Sequence, residues 1–273
     1  MIIMRTQVPL WRRTIMNNAQ ATNKHGLSGF TGRHPVLAVV LIEVMLFLAL
    51  FAAGAYLTIT EKTSQSPVPY AFAPIAVLLL IILLTGKRYT RYGFRSFGSI
   101  PRKELLFYLP LAADVLVVIT NGLTNGFREV SALHWIGLLG LALLVGFVEE
   151  TVYRGLILNI LLQKGVRIAV LTSSLLFSLT HLLNLMGGQN LAATLLQLAY
   201  AFLVGLSLSL LYVRHKTLLP LIAFHFLHNF TQFLVQDQAS VLFDSLVVAA
   251  LLFSCIWLLL QPRKEITSAV TAA

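Results

Sequence analysis

Charge is scarce in this chain. Asp, Glu, Lys and Arg make up 11% of its 273 residues, against about 25% in a typical soluble domain. That shortage excludes an ordinary water-facing surface over most of the length. Acidic residues are scarcer still, 10 against 20 Lys and Arg, for a net charge of +10. The single cysteine, Cys255, cannot form an internal disulfide, so it carries no information about redox compartment. No internal repeat, low-complexity tract or soluble domain is visible. No apolar core with a small-residue cleavage site occurs before His34, so no cleavable signal is expected.

Apolar residues take up what the charges leave, 58% of the chain. A membrane span needs about 20 mainly apolar residues. Eight stretches meet or approach this: Pro35–Leu57, Tyr70–Thr85, Leu105–Gly122, Leu133–Leu162, Ile168–Met186, Leu191–Val213, Leu218–Val235 and Val241–Leu260. With the N-terminus placed inside, seventeen of the 20 basic residues fall in inside segments. Lys62 and Arg128 fall outside, and Arg154 lies within a span. This alternation follows the positive-inside rule, and its dispersal argues against a nucleic-acid surface. Tyr70, Trp135, Tyr212 and Trp257 sit near span ends, where interface anchors belong.

The expected fold is therefore an all-α integral membrane protein with about eight transmembrane helices and both termini cytoplasmic. Residues 1–34 read as a basic cytoplasmic tail, with a weakly amphipathic piece at Val8–Ile15. Residues 35–130 hold the N-terminal helices and 131–236 the core that carries the chemistry. Residues 237–273 hold the last helix and a short tail. The expected place is a cell membrane, as a multi-pass protein, with no nucleic-acid partner.

One apolar run carries three ionisable groups within six residues, Glu149, Glu150 and Arg154. Each costs about 2.5–3.5 kcal/mol at membrane depth on insertion scales, and intramembrane carboxylates mark function by default. Glu150 and Arg154 are four apart and share a helix face, so they can pair. Glu149 points about 100° away and is left as a base or ligand. A purely structural ion pair beside one protonated glutamate is the bland alternative.

Two further sets lie downstream. Phe177 and His181 are four apart on the fifth run, with Asn184 placed to orient the ring or cap the helix. His225 and Asn229 share a face of the seventh, with His228 close to it. Imidazole and carboxamide together offer hydrogen bonds to a developing oxyanion; an interhelical polar clamp is the alternative, and His228 reads as structural. Glutamate and histidine also ligate catalytic zinc. The residues point to a buried polar site that activates water, with or without metal. A proton or ion pathway stays open on the residues alone.

These three sets, in this order, resemble the CPBP intramembrane proteases, the CAAX protease and bacteriocin-processing or Abi family. Its EExxxR, FxxxH and HxxxN motifs match Glu149 to Arg154, Phe177 to His181 and His225 to Asn229. The resemblance covers about Leu133 to Val235. It implies a helical core around a hydrophilic cavity open to the cytosol. Glu149 and His181 would activate the water that attacks a peptide carbonyl. His225 and Asn229 would stabilise the oxyanion, and Glu150 with Arg154 would shape the site. Glu149, His181 and His225 are the candidate ligands if a divalent metal such as zinc takes part; a metal-free mechanism is equally permitted. The implied partner is a membrane-associated peptide or protein, processed as in CAAX cleavage or bacteriocin maturation, or met in self-immunity. The basic chain without an organellar presequence reads as bacterial, which points away from prenylated substrates.

Depth along the helices gives a check. At 1.5 Å per residue, Glu149 and His225 both fall in the cytosolic half of a core about 30 Å thick, whereas His181 falls roughly two turns too deep. A later start or a tilt of the fifth helix would close the gap. Glu43 and Asp114 receive no role. The competing readings are a non-catalytic immunity or scaffold protein and a proton-coupled transporter. A transporter favours repeats and helices broken at midplane by Gly or Pro; no repeat is visible, and the motif helices contain no internal Pro near Glu149 or His225.

Overall fold

The computed structural model describes residues 29–62, 66–85, 89–186, 188–236 and 241–261. The tail piece Val8–Ile15 and the last residues of the chain lie outside this set. Described residues are almost wholly helical, with one isolated antiparallel bridge, Phe127 to Val235. The main helices are α1 (Pro35–Ile59), α2 (Val68–Leu84), α3 (Leu109–Asn125), α4 (Ala132–Glu150), α5 (Val166–Thr180), α6 (Leu191–His215), α7 (Leu219–Leu234) and α8 (Val241–Leu260).

Each expected span has a helix. Among the described residues, six helical rods are long and apolar enough to cross a membrane by length and composition. The other two, α2 and α7, have 17 and 16 residues. Prolines open several of these helices, Pro35, Pro110 and Pro220 among them, because the first turn has no use for the missing N–H. Asn190 caps α6 by accepting from the Ala193 N–H at 2.9 Å. Large apolar side chains such as Met45, Phe51, Phe253 and Leu260 stay exposed on α1 and α8. Surfaces of that kind suit lipid and not water.

Inside, α7 packs on α4 and α3, α6 packs on α5 and α8, and α8 returns to α3. Both ends of α7 are pinned. Leu218 N–H donates to the Gly93 carbonyl at 2.7 Å, and Thr217 Oγ1 to the Arg95 carbonyl at 3.0 Å. At the other end Arg128 N–H donates to the Leu234 carbonyl at 2.7 Å, and its Nε to the Val235 carbonyl at 3.1 Å. The loop after α3 is thereby clipped to α7. One expected anchor is misplaced: Tyr212 is buried at 1% exposure, and its hydroxyl accepts from Asn159 Nδ2 at 2.5 Å.

The rod that contains α4 is longer than a span. From Ala132 it runs through α4, a π-helical segment (Thr151–Leu158) and a final turn to Lys164, 33 residues in all. That is about 50 Å against a core of about 30 Å, an excess that ordinary tilt does not absorb. Its far end, and the start of α5 with it, therefore lies beyond the core. The two-turn discrepancy expected for His181 comes from there. α5 begins at Val166, two residues earlier than expected, so a later start does not close the gap; counting from a helix start that lies outside the core is what makes His181 come out too deep.

Candidate active site

Glu149 and Glu150 are the last residues of α4. Immediately after them the backbone ladder widens into the π segment, which buries Thr151 through Gly155. π-bulges of this kind collect at functional sites. A hydroxyl from α5, Ser173 Oγ, donates to the Tyr153 carbonyl inside the widened turn at 2.8 Å. Glu150 and Arg154 are wholly buried and joined by Nη1 to Oε1 at 2.8 Å. The pairing expected from their spacing is present.

His225 arrives from α7 and meets both glutamates. Its Nδ1 lies 2.9 Å from Glu150 Oε1 and its Nε2 lies 3.1 Å from Glu149 Oε2. Glu149 is therefore not left free, as its 100° offset from Arg154 suggested, but held by the far edge of a ring that also holds Glu150. A carboxylate only accepts, so both His225 nitrogens are turned to acceptors. The two-donor arrangement expected of His225 and Asn229 is thus half committed: Asn229 has no hydrogen-bond partner among the described residues, while His225 has two. Gly146 makes the approach of α7 possible, since a Cβ there would stand 3.2 Å from the Phe226 nitrogen.

Phe177 is the hub of the site. The Arg154 guanidinium lies over its face, 4.5 Å from the centroid. Tyr153, His181 and His225 stand edge-on to it at 5.2, 5.2 and 5.9 Å. An aromatic ring there orders a cation on its face and imidazoles around it. His181 ends α5, and its Nδ1 donates to the Phe177 carbonyl at 3.0 Å, which leaves Nε2 with its lone pair. It lies within electrostatic range of Glu149. Asn184 neither orients this ring nor caps the helix; its Nδ2 donates to Gln197 Oε1 at 2.8 Å.

A cavity of about 300 Å³ opens beside these residues, walled by Phe177, His181, Tyr200, His225, His228 and Asn229 among others. Glu149 does not line it. It reaches the cavity through His225, with 14% of its side chain exposed. The sequence left two participants unassigned. Asp114 on α3 is fully buried and its Oδ2 accepts from His228 Nδ1 at 2.7 Å. Tyr200 on α6 stacks on His228, its hydroxyl 2.7 Å from Nε2 and 3.2 Å from Nδ1. No local pattern signals either residue, because their partner is far away in sequence. Glu43 on α1 lies within electrostatic range of Tyr153, whose hydroxyl bonds to Thr180 Oγ1.

A metal fits this arrangement poorly. A ligating imidazole needs a free nitrogen lone pair, and both His225 nitrogens face carboxylates. No group of three or more His, Cys, Asp or Glu among the described residues is disposed to hold an ion. Glu149, His181 and His225 thus do not form a ligand sphere in this arrangement. What the set offers is carboxylate bases, fixed imidazoles and a carboxamide around a water-sized to peptide-sized space.

Comparison with known families matches part of the chain. Residues 131–231 match the family described as Rce1-like, the type II CAAX prenyl endopeptidases. The matched stretch contains Glu149 to Arg154, Phe177 to His181 and His225 to Asn229. It is consistent with a CPBP or CAAX protease family and supports an intramembrane protease. No curated protein matches the chain.

Proposed function

We propose that this protein is an intramembrane endopeptidase that hydrolyses a peptide bond of a membrane-associated peptide or protein. The observation that carries the reading is the single network in which His225 joins Glu149 to the Glu150–Arg154 pair. Catalytic carboxylates gain by such fixed company, since a general base must be held within about 3 Å of its water. Water enters between Glu149 and the free Nε2 of His181. Glu149 takes its proton, and the oxygen attacks the substrate carbonyl. As Glu149 receives that proton its hold on His225 Nε2 loosens. The released N–H and the Asn229 carboxamide then meet the oxyanion. Glu150 and Arg154 keep the ring of His225 in place throughout. The reading needs no metal. On this reading the cavity opens toward the cytosolic side of the membrane, and the scissile segment reaches it from the bilayer. The family match favours lipidated C-terminal peptides; a basic, bacterial-type chain favours processing of apolar peptides.

The test is cleavage by protein reconstituted in lipid vesicles. The substrates are a library of membrane-associated peptides, prenylated CAAX-ended peptides among them, read by mass spectrometry. Cleavage by wild type and none by Glu149→Ala is expected, with activity unchanged by a chelator. A folded wild type that cleaves no member overturns the reading in favour of a non-catalytic scaffold. Chelator-sensitive cleavage overturns only its metal-free chemistry.

A further inference from the structure

Asp114 and His228 form a second carboxylate–imidazole pair, separate from the Glu149 network yet on the same cavity. Asp114 has no exposed surface, and its Oδ2 lies 2.7 Å from His228 Nδ1. His228 walls the cavity with His181, His225 and Asn229. The two imidazoles of α7 are three residues apart, one turn along the axis and about 60° apart around it. They therefore approach the space from different sides, His225 toward α4 and His228 toward α3 and α6. The groups facing His228 are Asp114 and Tyr200, with His181 and His225 across the cavity.

A buried carboxylate behind an imidazole fixes its tautomer, steadies its orientation and stabilises its protonated form. With Nδ1 given to Asp114, Nε2 is the nitrogen that exchanges a proton, and its partner is the Tyr200 hydroxyl at 2.7 Å, a group that both donates and accepts. An interhelical clamp would account for the buried pair but would not need the ring on the cavity wall. Peptide hydrolysis, in turn, needs a proton at the leaving nitrogen, and Glu149, which holds one after the attack, does not line the cavity as His228 does. An amine is a poor leaving group until its nitrogen is protonated. His225 is ill placed to do this, because both its nitrogens are directed at carboxylates.

We infer that His228, backed by Asp114 and held by Tyr200, is the general acid that protonates the leaving amine. The inference rests on the peptidase reading above. Water loses a proton to Glu149 and its oxygen bonds to the carbonyl carbon. When the tetrahedral intermediate collapses, the C–N bond breaks and its electron pair goes to nitrogen. Nitrogen takes the proton of His228 Nε2. Glu149 then returns its proton to His228 through cavity water, and both groups are reset.

The experiment compares two substrates. One is the best-cleaved peptide of the library, and the other is its depsipeptide, with the scissile amide replaced by an ester. An alkoxide leaves far more readily than an amide anion, so the ester depends much less on the acid. His228→Gln is expected to slow the amide by about 100-fold or more, the usual scale of general acid catalysis. It is expected to slow the ester by about 3-fold or less on that reasoning. Asp114→Asn, which keeps the volume, is expected to give the same split in weaker form. Retained ester turnover also reports that each variant is folded. Equal losses on both substrates, or an amide rate within about 3-fold of wild type, would overturn the inference and leave the peptidase reading intact. A wild type that cleaves neither substrate overturns both.

Discussion

Glu149 Oε2 stands 3.1 Å from His225 Nε2, across the interface of α4 and α7. The same ring reaches Glu150 with its other nitrogen, so Glu149 and His225 form one unit. Groups that act as a unit show grossly non-additive kinetics. Glu149→Gln and His225→Gln should each lower cleavage by about 100-fold or more. The double variant should be no slower than the worse single one, within about 3-fold. Multiplicative losses in the reconstituted assay would show that the two act independently.

Arg154 has no exposed surface, and only its Nη1 is engaged, with Glu150. Removing one partner of a buried pair leaves an uncompensated charge and costs about 3–5 kcal/mol. Arg154→Ala should lower stability by that amount in a denaturant titration in detergent. Arg154→Lys should recover little, because the planar group that lies on Phe177 is lost. A paired replacement, Glu150→Leu with Arg154→Met, should regain most of the stability and none of the activity.

Close contact of α5 and α6 positions His181. A Cβ on Gly205 would stand 3.0 Å from Ser174 Cα and 3.2 Å from Ser174 O, both backbone atoms that cannot swing aside. Small residues let membrane helices approach in this way. Gly205→Ala should cost about 1–3 kcal/mol through overpacking. It should also slow cleavage by moving α5 outward. Wild-type melting behaviour in that variant would refute the close-approach argument.

Lys216 follows α6 in the left-handed region, at φ 54°. Burial, aided by the Arg95 cation, brings its ammonium down from 10.5 to about 8. The folded protein then releases this proton before the unfolded chain does. Between about pH 8 and 10.5 the unfolded state binds more protons, so stability rises with pH across that window. Below pH 8 the burial penalty is present in full. Thermal melts at pH 7.5 and 9.5 should show a rise for wild type and a smaller one for Lys216→Gln, which should also be the more stable protein at pH 7.5.

Much of the architecture was legible because membranes constrain sequence so tightly. Apolar length placed a helix at each expected stretch, and i, i+4 spacing placed Arg154 on Glu150. Other features carry no local mark. The π segment is one: nothing in Thr151–Leu158 distinguishes an i→i+5 ladder from an α-helix before tertiary packing selects it. Its rod overruns the bilayer, which is why depth counting misplaced His181. Tyr212 looked like an interface aromatic, but burial against Asn159 won. His225 shares a face with Asn229, which marks it as an oxyanion donor, but its two carboxylate partners lie on another helix, where local spacing does not show them. Asp114 escaped for the same reason. An isolated intramembrane aspartate announces that it needs a partner, and only the fold supplies His228.

The most direct measurement is single-turnover cleavage by wild type and Glu149→Gln in ¹⁸O-labelled water, with a peptide that the wild type accepts. Glutamine keeps the shape and loses the base. The account predicts one ¹⁸O atom in the new carboxylate for wild type and a rate at least about 100-fold lower for the variant. A variant that cuts at a rate within about 3-fold of wild type, or a product without label, would contradict the claim that Glu149 activates the attacking water.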